Sequence, residues 1–176
     1  MIRNSITFSP IGIIHSGHDI AQKTPIQPVY AKGCDGWVEI FPEFAEGLKD
    51  IEGFSHIYLI YFFHQAEPTK LVVKPFLQDI ERGVFATRAP CRPNALGLSI
   101  VELVRRESNI LYLERVDILD GTPLIDIKPY TARFDRLDTA RNGWQDEVDE
   151  KTARNRGRRE YAGNVKTLLG NNLDYK

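Results

Sequence analysis

Apolar residues come in short bursts cut by Gly, Pro, Asn and Asp as far as about residue 130, a pattern of strands and turns rather than of long helices. The bursts predict strands over residues 7–15, 36–40, 55–64, 83–88, 98–106, 110–118 and 124–127. Within 98–106, Leu98, Ile100 and Val104 share one parity while Ser99, Glu102 and Arg105 interrupt the pattern, which predicts a partly exposed strand. Glu107-Ser108-Asn109 is a short polar link suited to a hairpin joining that strand to 110–118. Residues 54–63 carry aromatic and branched side chains at both parities, so the expectation is a central strand buried on both faces, with a helix as the competing assignment. Pro42 to Leu48 places Pro and Glu in a first turn with apolar residues at helical spacing and predicts one short helix. Many strands, few helices and no repeat make an all-β antiparallel barrel or sandwich.

Composition sets the size of the unit. A chain of 176 residues, 42% hydrophobic, supplies one packed core and not two, which gives a β domain over 1–134 and a tail over 135–176. In that tail Trp144, Tyr161 and Leu168 stand alone among charged residues, and Lys151, Arg154, Arg156, Arg158 and Arg159 cluster. Residues 145–160 read as a helix, with Glu147 four residues before Lys151. It is either a solvated helix or an arm that packs on a partner subunit or touches RNA phosphates. With 23 basic against 24 acidic residues, the whole chain carries no nucleic-acid footprint, so any RNA contact must be a local patch. No apolar run approaches the roughly 20 residues of a membrane span, and the first residues lack the apolar core of a signal peptide; a cytoplasmic location is expected. Cys34 and Cys91 are far apart with no CxxC spacing, so reduced thiols are expected, with no disulfide framework and no metal site.

Two stretches hold candidate chemistry. In 83–99, two prolines stiffen a loop while Arg88 and Arg92 offer planar donor forks suited to carboxylate or phosphate, although prolines and arginines are also routine in surface turns. In 117–130, an Asp-Gly turn puts Asp120 where it could bind ligand hydroxyls or amines, or simply make the turn. His56 and His64 share a strand parity but lie roughly 27 Å apart if extended, too far to bind one metal. His56 suits a core histidine bonded to backbone, and His64, at the strand end before Gln65, suits a site. His15 and His18 have no acidic or cysteine companions at a ligand spacing and receive no role. There is no GxGxxG, Walker loop, serine elbow or HExxH, so the usual nucleotide, serine hydrolase and zinc classes lack support.

Taken together, Pro10-Ile11-Gly12-Ile13-Ile14-His15-Ser16, Gly53-Phe54-Ser55-His56-Ile57, Phe63-His64-Gln65, the 83–99 stretch and 119–130 resemble the TsaA-like family, which includes the TrmO tRNA methyltransferases, over about residues 7–131. The resemblance implies a small antiparallel β-barrel, a homodimer, and S-adenosylmethionine bound outside a Rossmann framework. It implies as acceptor the exocyclic nitrogen of N6-threonylcarbamoyladenosine in the tRNA anticodon loop. Matched residue by residue, it places cofactor contacts at Pro25, Ile26 and Gln27, at His64 and Gln65, at Arg88, at Leu98, and at Ile118, Leu119, Asp120 and Gly121. Ile26 stands where the family usually has arginine. His64 and Asp120 are the candidate catalytic bases, since a nitrogen conjugated to a ring and a carbonyl must lose its proton as it attacks. Arg92, Lys128, Arg154 and Arg158 are candidates for RNA phosphates. A methyltransferase of the same barrel acting on a small molecule, or a non-catalytic cofactor-sensing or RNA-binding module, are the alternatives.

Overall fold

The structure is a computed structural model and describes residues 5–159. Eight strands run in chain order: β1 Gly12–Ser16, β2 Gly36–Ile40, β3 His56–Phe62, β4 Val72–Val73, β5 Arg82–Gly83, β6 Leu96–Glu107, β7 Ile110–Glu114 and β8 Thr122–Pro129. Six of them close a barrel in the order β1-β2-β7-β6-β3-β8, every neighbouring pair antiparallel, while β4 and β5 form a separate two-stranded ribbon.

Strict alternation turns one set of side chains inward. Ile14, Val38, Ile57, Leu59, Val101, Leu111, Leu113 and Leu124 are fully buried and fill the interior. Each such branched side chain contributes about 1.5–3 kcal/mol on leaving water. β3 lies between β6 and β8, as a central strand should, but only one of its faces is buried: Ile57, Leu59 and Tyr61 point inward, whereas Phe62 is 44% exposed. A closed barrel has a single interior, so apolar residues at both parities left some of them outside. The predicted β6–β7 hairpin is present, its turn made by Ser108 in the left-handed region at φ 56° and Asn109.

Several predicted boundaries move. Residues 7–11 are not strand; pairing begins at Gly12, opposite Ile40 and Leu124, and Ile6 and Phe8 are exposed. The predicted strand over 83–88 is only Arg82–Gly83 followed by a 3-10 turn, Val84–Ala86, which Thr87 closes by donating its N–H and its hydroxyl to the Val84 carbonyl. β7 stops at Glu114 because Arg115 adopts φ 62° and breaks the ladder. The short helix at Pro42–Leu48 is a 3-10 helix.

Beyond β8 come a short helix α1, Ala132–Asp135, a 3-10 turn, Gly143–Glu147, and helix α2, Glu150–Arg158. The helix expected over 145–160 is interrupted, since Asp149 is extended and caps α2 by accepting the Thr152 N–H at 2.9 Å. Glu147 therefore lies outside α2 and pairs with Arg82 at 3.0 Å rather than with Lys151. Glu160, Tyr161 and Leu168 lie outside the described residues. Cys34 and Cys91 form no disulfide, and no helix among the described residues is long and apolar enough to cross a membrane.

Candidate functional site

One rim of the barrel collects most of the predicted residues. Antiparallel pairing brings the end of β1, the end of β3, the start of β6 and the start of β8 to the same end, because Ile14 lies opposite Thr122, Tyr61 opposite Leu124 and Phe62 opposite Leu96. The segment 116–121 between β7 and β8 crosses that end and is clasped to the segment after β1. Ser16 donates its hydroxyl to the Ile118 carbonyl at 2.6 Å, and the Asp120 N–H donates to the His18 carbonyl at 2.8 Å. His18 is buried, with Nε2 3.0 Å from the Val116 carbonyl, and burial pushes its pKa down. Gly121 makes the turn at φ 73°, a conformation that disfavours any side chain.

Asp120 is exposed, and its Oδ1 accepts from the Ser16 N–H at 3.1 Å and lies 3.4 Å from His15 Nδ1. His15 in turn stacks on Trp37 with centroids 4.9 Å apart. His15 thus joins the site although its sequence context gave it no role; its partner sits 105 positions along the chain, and only its place in the first family motif hinted at it.

His64, also exposed, has a defined tautomer. Thr122 donates its hydroxyl hydrogen to the Leu119 carbonyl at 2.7 Å, so it accepts from His64 Nδ1 at 3.3 Å; the Gln65 amide, 3.2 Å away, then donates to Nε2. That pattern puts a proton on Nδ1 and turns Nε2 toward the Gln65 amide.

Arg88 comes from the Pro-stiffened loop after β5. Its Nη1 donates to Gln27 Oε1, which joins the 84–94 loop to the 24–30 loop. Gln27 holds its own amide by donating to the Ile26 carbonyl at 2.6 Å. That bond uses a single nitrogen of the fork, and the Asp117 carboxylate acts on it only electrostatically, so the fork keeps donors for an anionic group of a ligand. Arg92 braces the same loop by donating to the Thr87 carbonyl at 3.3 Å.

Under this surface runs a buried polar chain that the sequence did not single out. Ser99 donates to Asp117 Oδ1 at 2.7 Å, and the Tyr61 hydroxyl is 3.1 Å from the Ser99 hydroxyl. Burial pushes Asp117 up to about 7, outweighing the Ser99 hydrogen bond and the Arg88 cation, both of which favour the carboxylate. Burial likewise raises the Tyr61 phenol, with the Asp117 charge adding to it and Arg88 opposing it, so Arg88 lies within electrostatic reach of both.

Other candidates lie apart. Leu98 is on the outward face of β6, 51% exposed between Leu96 and Ile100. Lys128 is six residues along β8 from Thr122, roughly 20 Å at strand spacing, and pairs with Asp126 at 2.8 Å. Arg154 and Arg158 are exposed on α2. His56 is not a backbone-bonded core histidine; it is half-buried near the end of β3 remote from this rim, its Nδ1 3.0 Å from the Ser55 hydroxyl and its ring edge-on to Tyr130.

The rim presents an anion-binding fork, a carboxylate, an imidazole acceptor and an amide, a set that fits the carboxylate, ammonium and hydroxyl groups of an amino-acid nucleoside such as S-adenosylmethionine. Residues 13–136 match the family model for the tRNA-methyltransferase O N-terminal domain. The chain is 57% identical over 139 residues to a Pyrococcus abyssi protein named "Probable S-adenosyl-L-methionine-binding protein", covering 79% of this chain and 76% of that protein. It is 36% identical over 133 residues to the human tRNA (adenine(37)-N6)-methyltransferase, covering 72% of this chain but 30% of that one. A crystal structure of TrmO from Pseudomonas aeruginosa superposes with a TM-score of 0.67 at 40% identity, over 80% of this chain and 62% of that chain.

Proposed function

Since the chain belongs to the TrmO family of S-adenosylmethionine-dependent tRNA methyltransferases, we propose that its acceptor is the exocyclic nitrogen of N6-threonylcarbamoyladenosine in the anticodon loop, and that the rim described above is where transfer takes place. The observation that carries this reading is the convergence of Arg88, Gln27, His64 and Asp120 on one barrel end from four separate segments.

When bound, S-adenosylmethionine supplies an electrophilic methyl group on a sulfonium. The chain's own residues supply the rest. The Arg88 fork holds a carboxylate, since a guanidinium set against a sulfonium would repel it in a low-dielectric site. Ile26, Gln27, Leu119 and Gly121 are open enough to wall the cofactor, whereas Pro25 and Ile118 are buried, Ile118 in the core, and can only back that wall. His64 and Asp120 are the two candidate bases: Thr122 orients the His64 ring, whose Nε2 must first part from the Gln65 amide 3.2 Å away, and Asp120 Oδ1 is engaged by Ser16 and His15. Arg92, Lys128, Arg154 and Arg158 are the candidates for phosphates; Lys128 already pairs with Asp126 at 2.8 Å, so phosphate would have to compete with that exposed ion pair.

The outward apolar row of Phe62, Leu96, Leu98 and Ile100, each 37–51% exposed on adjoining β3 and β6, supports a homodimer that buries it. In such a dimer Leu98 serves the partner's site rather than its own rim.

The test is methyl incorporation from labelled S-adenosylmethionine into tRNA with and without threonylcarbamoyladenosine. Transfer only to the modified tRNA, lost in Arg88→Ala, is expected. Turnover indifferent to tRNA would point to a small-molecule acceptor, and cofactor binding with no transfer to any RNA to a sensing module.

A further inference from the structure

The loop between β1 and β2 carries Pro25, Ile26 and Gln27 but has little structure of its own: two single-turn 3-10 segments, Ala21–Lys23 and Pro28–Tyr30, and no strand partner. A connection of this length would ordinarily populate many conformations. Its ends are tied to the 116–120 segment and Gln27 meets Arg88, and the arm beyond the barrel adds further ties at its middle. The Ile26 N–H donates to the Gly157 carbonyl at 3.0 Å, and Arg159 donates to the Ala21 carbonyl while its guanidinium lies 3.7 Å over the Phe76 ring. Gly157 is buried against Tyr30 so closely that a Cβ there would fall 2.5 Å from the ring.

The same arm grips the segment leading to Arg88. Trp144 Nε1 donates to the Ala86 carbonyl at 2.8 Å, and Glu147 accepts from Arg82 at 3.0 Å and Gln78 at 3.1 Å. Arg156 makes two hydrogen bonds to Asp79, at 3.2 and 2.9 Å. Gln27 and Arg88, which meet in the candidate site, therefore stand on two loops tied together from behind by one segment.

We propose that residues 143–159 are a positioning strap for the cofactor site, with Gly157 the residue that lets α2 dock and fix the Pro25-Ile26-Gln27 loop. This rests on the placement of the cofactor proposed above. With the strap docked, the loop is ordered before the cofactor arrives; with it released, ordering opposes binding. The coupling must be reciprocal, so bound cofactor must favour the docked strap.

The experiment uses the full chain with Gly157→Val, and Arg159→Gln should the valine variant not fold. Cofactor affinity is measured by calorimetry, and strap docking by the rate of tryptic cleavage at Lys151, Arg154 and Arg158. Expected are about tenfold weaker S-adenosylmethionine binding, faster cleavage, and a higher KM for the cofactor with kcat at saturation within about twofold; in the wild type, cofactor slows cleavage. Faster cleavage with affinity unchanged within about twofold overturns the strap. Arg88→Ala separates the two ideas: if it leaves affinity unchanged, the cofactor placement fails, whereas if it weakens binding and Gly157→Val does not, the strap alone fails.

Discussion

Two aspartates three positions apart end in opposite surroundings. Asp120, at the Asp-Gly turn, is exposed and engages Ser16 and His15; Asp117 is buried on Ser99 with its pKa raised to about 7. Because the folded state holds a proton on Asp117 that the unfolded chain has lost, its contribution to stability is full below about pH 4 and declines as pH rises to about 7. Asp117→Asn removes that decline. Chemical denaturation across pH 4 to 8 should show the variant gaining on wild type as pH rises, by up to about 4 kcal/mol; parallel curves would mean that Asp117 ionises freely. Gly97 offers a steric test on the same buried chain, since a Cβ there would meet the Tyr61 ring at 2.1 Å. Gly97→Ala should lower stability by about 1–3 kcal/mol, read as a drop in melting temperature.

At the scale of elements, the β6–β7 hairpin and the strand positions were legible because alternation and a polar link are local signals. The arm was not. Its charged composition suits a solvated helix, and the residues it grips, Ile26, Asp79, Arg82 and Ala86, lie 58 or more positions away. Local geometry yields its own prediction: Ser108 holds φ 56°, costly for a residue with a Cβ, so Ser108→Gly should stabilise the hairpin by about 0.5–1 kcal/mol in denaturant titrations. A loss of stability would show that the Ser108 side chain matters more than its backbone.

For the whole molecule, barrel closure removes sheet edges, so association by strand addition is not open to the six barrel strands. The outward row on β3 and β6 remains, and in the proposed dimer Leu98→Glu places a charge in the contact. Sedimentation should then show a monomer, with cofactor binding weakened if Leu98 serves the partner's site; an unchanged sedimentation coefficient would remove this face from consideration. The sequence by itself determined an all-β antiparallel domain, its hairpin and the motifs that carry Arg88, His64 and Asp120, because period-two alternation, turn chemistry and motif order are properties of neighbours along the chain; the choice of barrel over sandwich came from the family resemblance those motifs carry. Tertiary structure alone decided that His15 meets Asp120, that Asp117 is buried while Asp120 is not, and that the charged tail straps the cofactor-loop candidates. Each depends on which ends of antiparallel strands closure brings together, and no local pattern encodes that.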